Sequence, residues 1–247
     1  MSMFAFPDLL APKYIGWLFD GLVVTLLVSL VVSILATLLG VVVAVMRNSR
    51  AAPLSALALA YVSVFRNTPL LVQLFFWYFG APSLLPEETV VWLNTTHHVF
   101  LFGTIELPMP TFEYVVGIFG LTLYATAFIA EEIRAGMRGV AATQRQAAEA
   151  LGMKPHQVLR YVLLPQAARI ALLPLLGQYM NIVKSSSLTM AIGVVELSYV
   201  SRQVETETFR AFQAFGISTL LYILTIAMIE GVGQVLQRER HHLAVRR

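Results

Sequence analysis

Two cations stand inside apolar stretches of this chain: Arg66 in Val64-Phe65-Arg66-Asn67-Thr68-Pro69-Leu70-Leu71-Val72-Gln73, and Lys184 in Asn181-Ile182-Val183-Lys184-Ser185-Ser186-Ser187-Leu188. A charge in hydrocarbon costs several kcal/mol, so it normally faces a partner or a water-filled path. The chemistry open to a guanidinium and an ammonium is the attraction of an anion. Arg66 has a second reading, in which it binds backbone carbonyls freed by the proline break that follows it. Ser185, Ser186 and Ser187 supply hydroxyl donors beside Lys184, but small residues also let helices pack closely, and both accounts fit equally. Catalysis lacks its parts. The sequence has no GxxxxGK[ST], no HExxH and no GxSxG, so it is not a P-loop ATPase, a zincin or a hydrolase of those types. Its histidines are His97, His98, His156, His241 and His242. Adjacent side chains on one helix or strand diverge, so the two pairs are read as solvated surface rather than metal ligands.

The elements that must hold these cations are membrane helices. Of 247 residues 57% are hydrophobic and 13% charged, with a mean hydropathy of +0.73, where a soluble domain averages about 25% charged. That composition indicates an all-α integral membrane protein with one membrane domain spanning residues 1–247. The absence of cysteine excludes disulfides and thiolate-ligated metal sites. The N-terminus has no basic region or small-residue cleavage site, so no removable signal peptide is expected. Apolar runs place about five spans near residues 17–46, 54–82, 112–133, 168–195 and 211–236. The second is expected to break or bend near Asn67-Thr68-Pro69, because proline removes a helix hydrogen bond and restricts the residue before it. A mixed loop covers Glu87–Glu113, and its Asn94-Thr95-Thr96 sequon is assigned no function. Lys184 falls 15 residues after Arg169, about 22 Å along an ideal helix, past the midpoint of a roughly 30 Å hydrocarbon core.

Basic residues sort by side. Arg47, Arg50, Arg134, Arg138, Arg145, Lys154, Arg160, Arg169, Arg238, Arg240, Arg246 and Arg247 fall in segments on one side, and only Lys13, Arg202 and Arg210 on the other. The positive-inside rule then puts the N-terminus outside and the C-terminus in the cytoplasm. Asp8, Glu87, Glu88, Glu106, Glu113, Glu205 and Glu207 make the outer side acidic.

Between the third and fourth spans lies a loop over residues 139–167, and Thr143–Arg169 is the longest polar and basic interval of the chain. Within Thr143–Arg169 two short helices are expected: one over about Thr143–Leu151, ended by Gly152 as a left-handed cap, and one opening at Pro155. Pro165 is expected to interrupt the helical run. Ala147, Ala148 and Ala150 are small enough for another backbone to approach. From composition alone this is a solvated helical loop.

Its spacing carries more. Gln146-Ala147-Ala148, three residues, Gly152, nine residues, then Val162-Leu163-Leu164-Pro165 resembles the EAA coupling-helix loop of ABC importer permeases, with Gln146 in place of the usual glutamate. Phe65–Gln73 resembles the F-R-x-x-P-L-L-V-Q segment of the polar amino acid branch. Asn181–Leu188, Gly193–Leu197 and Ala130–Gly136 resemble further segments of that branch, and the set is most similar to glutamate/aspartate permeases. In the bland reading Glu131 and Arg134 form only a spaced helix pair.

The resemblance implies a non-catalytic permease subunit of an ATP-driven importer of polar amino acids, with glutamate/aspartate expected and glutamine, histidine or arginine as alternatives. It implies ATPase contact through Gln146, Ala147, Ala148, Gly152, Leu164 and Pro165. The candidate substrate pathway is Arg66, Asn67, Gln73, Asn181, Lys184, Ser185, Ser186 and Ser187. The implied partners are a cytoplasmic ATPase dimer, a second permease subunit (the same chain or another), an extracytoplasmic amino-acid-binding protein and the bacterial inner membrane. ATP and Mg would sit on the ATPase; no cofactor, metal or nucleic acid is expected on this chain. A stand-alone secondary transporter or channel is the alternative of a different class, though inverted repeats and paired intramembrane acids are not evident.

Overall fold

The second span is where local chemistry shapes the chain most. In the computed structural model, which describes residues 10–49, 51–95, 98–101, 105–108 and 110–245, helix α2 (Ala52–Asn67) ends one residue before Thr68-Pro69. Thr68 is extended at φ −112° and ψ 138°, the conformation that the following proline ring imposes. Its hydroxyl donates to the Val64 carbonyl at 2.8 Å, occupying an acceptor that the broken helix leaves open. Helix α3 (Leu70–Phe75) restarts the chain after a bend of 105°. A π-helical turn over Phe76–Gly80 and a 3-10 turn over Ala81–Leu84 complete this broken span.

The remaining elements follow the apolar runs with longer bounds than expected. Helix α1 (Pro12–Arg47) is apolar on all faces, with Leu27, Leu30 and Leu38 among its exposed side chains, the pattern of a lipid-facing helix. A short helix α4 (Glu87–Asn94) precedes an antiparallel hairpin, β1 (His98–Leu101) and β2 (Ile105–Pro108), which pairs Val99 with Leu107. Composition had offered only a loop there. Helix α5 (Phe112–Arg138) is the third span. Helices α6 (Ala142–Ala150) and α7 (Pro155–Gln157) follow, then a π-helical segment (Val158–Leu163) and α8 (Leu164–Ser186). A 3-10 segment (Ser187–Ile192), an amphipathic helix α9 (Leu197–Thr208) and α10 (Ala211–Val245) end the chain.

Four helical segments are long and apolar enough to cross a membrane, and the bent pair makes five. One expectation fails. Pro165 does not interrupt the helix, because Pro155–Ile192 is a single helical run. Proline clashes with the carbonyl four residues back in an α-helix, and the wider π turn directly before Pro165 removes that clash. Asp8, Arg50, Thr96, His97, Arg246 and Arg247 lie outside the described residues.

The chain divides into two compact units. The first comprises Met1–Val31, Leu70–Leu121 and Val183–Ile226. It packs Leu18, Leu197, Val200, Val204 and Ala214 into a core that joins α1, α9 and α10. The second comprises Val32–Pro69, Thr122–Ile182 and Ala227–Arg247. Its centre uses small residues, with Ala127, Ala167 and Ala171 buried. A Cβ on Gly136 would meet the Ala167 carbonyl oxygen at 2.7 Å, so α5 and α8 approach there as closely as their backbones allow.

Candidate functional site

Residues 139–167 form two short helices and a tight stop between them. Gly152 has φ +76°, a left-handed conformation costly for residues with a Cβ. Its N–H donates to Glu149 O at 3.0 Å, and the Met153 N–H reaches back to Ala148 O at 3.2 Å. That pair of bonds is a Schellman cap. Pro155 opens α7, and Gln157 Oε1 accepts the Lys154 N–H at 2.8 Å. Helix α6 packs on the π-helical segment, and its Ala148 is buried while Gln146 and Ala147 are exposed. Leu151 stands 83% exposed at the tip, an apolar side chain facing away from its own unit. Leu164 and Pro165 begin α8 just beyond the π turn.

The second unit also holds the charged cluster. Arg134 donates to both oxygens of Glu131 on the same face of α5, through Nε at 3.0 and 3.1 Å. Arg47, in the last turn of α1, brings Nε to 3.9 Å from Glu131 Oε1. Arg66 lies with its guanidinium carbon 5.2 Å from the Phe128 ring centroid, a cation–π arrangement. Arg47, Ser63, Arg66, Asn67, Phe128 and Glu131 line a cavity of about 380 Å³. Glu131 is therefore more than a helix partner for Arg134: it is the shared carboxylate of a cationic cavity. Asn181, also in this unit, is exposed on α8.

The first unit holds Gln73, Lys184, Ser185, Ser186 and Ser187. Here α3, which carries a buried Gln73, packs on the 3-10 segment Ser187–Ile192, so two of the sequence motifs meet. Two of the serines are committed locally. Ser186 Oγ donates to Val183 O at 2.8 Å and Ser187 Oγ to Lys184 O at 2.7 Å. These bonds three residues back accompany the tightening of α8 into a 3-10 helix. Lys184 is exposed, with no ion pair or hydrogen bond for its ammonium among the described residues.

A polar centre of the first unit escaped the sequence reading. Glu196 is fully buried as the N-cap of α9 and accepts the Tyr199 N–H at 2.9 Å. The Tyr222 hydroxyl donates to it at 2.8 Å and the Thr25 hydroxyl at 3.3 Å. Thr25 in turn accepts the Leu197 N–H at 3.1 Å. Burial pushes the Glu196 carboxyl above its ordinary range, against the pull of these donors. Thr25 lies in an uncharged run and offered no signal; Glu196 was visible only as part of the Gly193–Leu197 segment.

Residues 36–238 match the family described as binding-protein-dependent transport system inner membrane component. The chain belongs to that family. It is an ABC importer permease of the polar amino acid branch, a non-catalytic, multi-pass inner-membrane subunit. This permease is 33% identical over 226 residues to the glutamate/aspartate import permease protein GltJ of Escherichia coli (strain K12), covering 92% of this chain and 88% of that one. It is 35% identical over 220 residues to the probable glutamine ABC transporter permease protein GlnM of Bacillus subtilis (strain 168), covering 89% and 91%. Among solved structures it resembles the crystal structure of an amino acid ABC transporter with histidines, with TM-score 0.76, 28% identity, and 92% of this chain and 95% of that chain covered. Family membership removes the reading as a stand-alone secondary transporter or channel.

Proposed function

We propose that the permease translocates acidic amino acids, glutamate and aspartate, with its N-terminus outside and its C-terminus in the cytoplasm. The observation that carries the substrate is the 33% identity to GltJ over nearly the whole length of both chains. The Lys184 ammonium in α8, exposed and unpaired among the described residues, supports it, since a cation in a low-dielectric path attracts a carboxylate. On this reading Lys184, Gln73 and the backbone around Ser185–Ser187 border the path. Glutamine is the second reading, favoured by the 35% identity to GlnM. Proteoliposomes holding the permease with its partner subunits and binding protein distinguish the two. Glutamate and aspartate should drive uptake and stimulate ATP hydrolysis, and Lys184→Gln should raise the half-saturating concentration at least about tenfold. Glutamine-driven uptake untouched by excess glutamate would overturn the acidic assignment.

Residues 139–167 act in this proposal as the contact with a cytoplasmic ATPase dimer, which binds ATP and Mg. Exposed Gln146, Ala147 and Leu151 enter a groove on the ATPase, and the Gly152 cap holds α6 at a defined angle as a rigid lever. Leu164 and Pro165 pass its motion into α8, one segment of a rigid-body switch between inward- and outward-open states. A second permease subunit and an extracytoplasmic amino-acid-binding protein complete the assembly. Gly152→Pro, whose ring holds φ near −65° where +76° is needed, should abolish transport-coupled hydrolysis, and Gly152→Asn should keep most of it. Coupling that survives the proline is incompatible with the lever. Gln146→Glu asks whether the missing charge matters: unchanged coupling means that the contact rests on shape and amide bonding. A reporter fused after Arg247 should appear in the cytoplasm; its appearance outside would reverse the orientation.

A further inference from the structure

We propose that the cavity bounded by Arg47, Arg66 and Glu131 binds the headgroup of an anionic phospholipid. Three arginines from three helices converge on one carboxylate, leaving the cluster two charges positive. Glu131 is already committed to Arg134 through both its oxygens. Arg47 Nε is shielded from solvent, stands 3.9 Å from Glu131 and has no hydrogen-bond partner among the described residues. Arg66 rests on the Phe128 ring, and its N–H fork has no hydrogen bond or ion pair among the described residues. Two guanidiniums thus face about 380 Å³ of open space. A phosphate diester matches that fork geometry, and an arginine pair binds it more firmly than any neutral headgroup.

Depth and surroundings favour a lipid over a free anion. Helix α1 has 36 residues, about 54 Å at 1.5 Å per residue, so its last turn lies beyond a roughly 30 Å core. Glu131 is seven residues before the end of α5 at Arg138, about 10 Å along the axis. Both place the cavity at headgroup level, where basic pockets between spans collect anionic lipids. On α2, next to it, Leu54, Leu57, Leu59 and Val64 are exposed and apolar, a surface for acyl chains. The assignment holds for either orientation of the chain.

The test uses the full-length permease, purified in detergent with whatever subunits accompany it, and native mass spectrometry after adding phosphatidylglycerol or phosphatidylcholine. Phosphatidylglycerol should be retained about tenfold more than phosphatidylcholine, and Arg47→Gln with Arg66→Gln should erase that preference. Arg145→Gln, which removes a basic charge elsewhere, should leave it intact. Glu131→Gln should raise phosphatidylglycerol retention, because it deletes the competing carboxylate. Equal retention of the two lipids by the wild type, or an unchanged preference in the double glutamine variant, overturns the proposal. Displacement of phosphatidylglycerol by glutamate in the wild type also overturns it and assigns the arginines to substrate. Arg47→Lys with Arg66→Lys guards against misfolding: partial retention supports the site, and full retention shows that only net charge is sensed.

Discussion

Each unit of this permease is organised around one glutamate, and the two are treated in opposite ways. Glu196 is buried and surrounded by neutral donors: the Tyr199 N–H, the Tyr222 hydroxyl and the Thr25 hydroxyl. Its lone pairs are answered by uncharged donors from three helices, so the centre is closed and ties α1, α9 and α10 together. Glu131 is contested by cations that outnumber it, beside a cavity open to the surroundings. The first arrangement holds a fold, and the second leaves charge over for a ligand. The contrast follows from two costs. A buried carboxylate without a cation survives only if every acceptor site is used. An excess cation is tolerable only where solvent, headgroup or ligand can answer it.

Replacing the closed centre should do the most damage. Glu196→Ala removes a helix cap and strands two hydroxyls, and should lower stability by roughly 3 kcal/mol. Thermal unfolding in detergent measures it, and Glu196→Gln, which keeps an acceptor, should cost about 1 kcal/mol. A smaller loss for the alanine than for the glutamine would mean that Glu196 is not the organising group. Gly136→Val tests the packing of the other unit: forcing a side chain where the Ala167 carbonyl lies 2.7 Å from an added Cβ should cost about 2 kcal/mol. Glu131→Gln should cost about 1 kcal/mol or less, because the cavity lets solvent relieve the arginines. If it destabilises as much as Glu196→Ala, the two glutamates are alike and the contrast fails. Smallest of all, Arg145→Ala breaks an exposed pair with Glu149 at 2.9 Å and should change stability by no more than about 0.5 kcal/mol.

Features set by neighbours in the chain were legible in advance. The bend at Thr68-Pro69 follows from the proline ring, and the Gly152 stop from a backbone that needs no Cβ. Pro165 misled for the same local reason. Read by itself it breaks a helix, and only the π turn before it shows how the helix absorbs it. The hairpin β1–β2 and helix α9 were missed because their apolar patterns are short. Among the candidate pathway residues, the serines fitted hydroxyl donation and close helix packing equally. Ser186 and Ser187 turn out to bond their own helix.

By itself, then, the sequence determined the class, the approximate spans, the broken helix and the capped interhelical loop. Each of these depends on hydropathy or on dihedral limits that act over a few residues. Tertiary structure alone decided which polar groups meet. Thr25 and Glu196 are 171 residues apart, and Arg47, Arg66 and Glu131 come from three separate helices. Pairing over such distances depends on how helices cross and how closely their small residues let them approach, and no local pattern encodes it. The sequence supplied the charges; packing chose their partners.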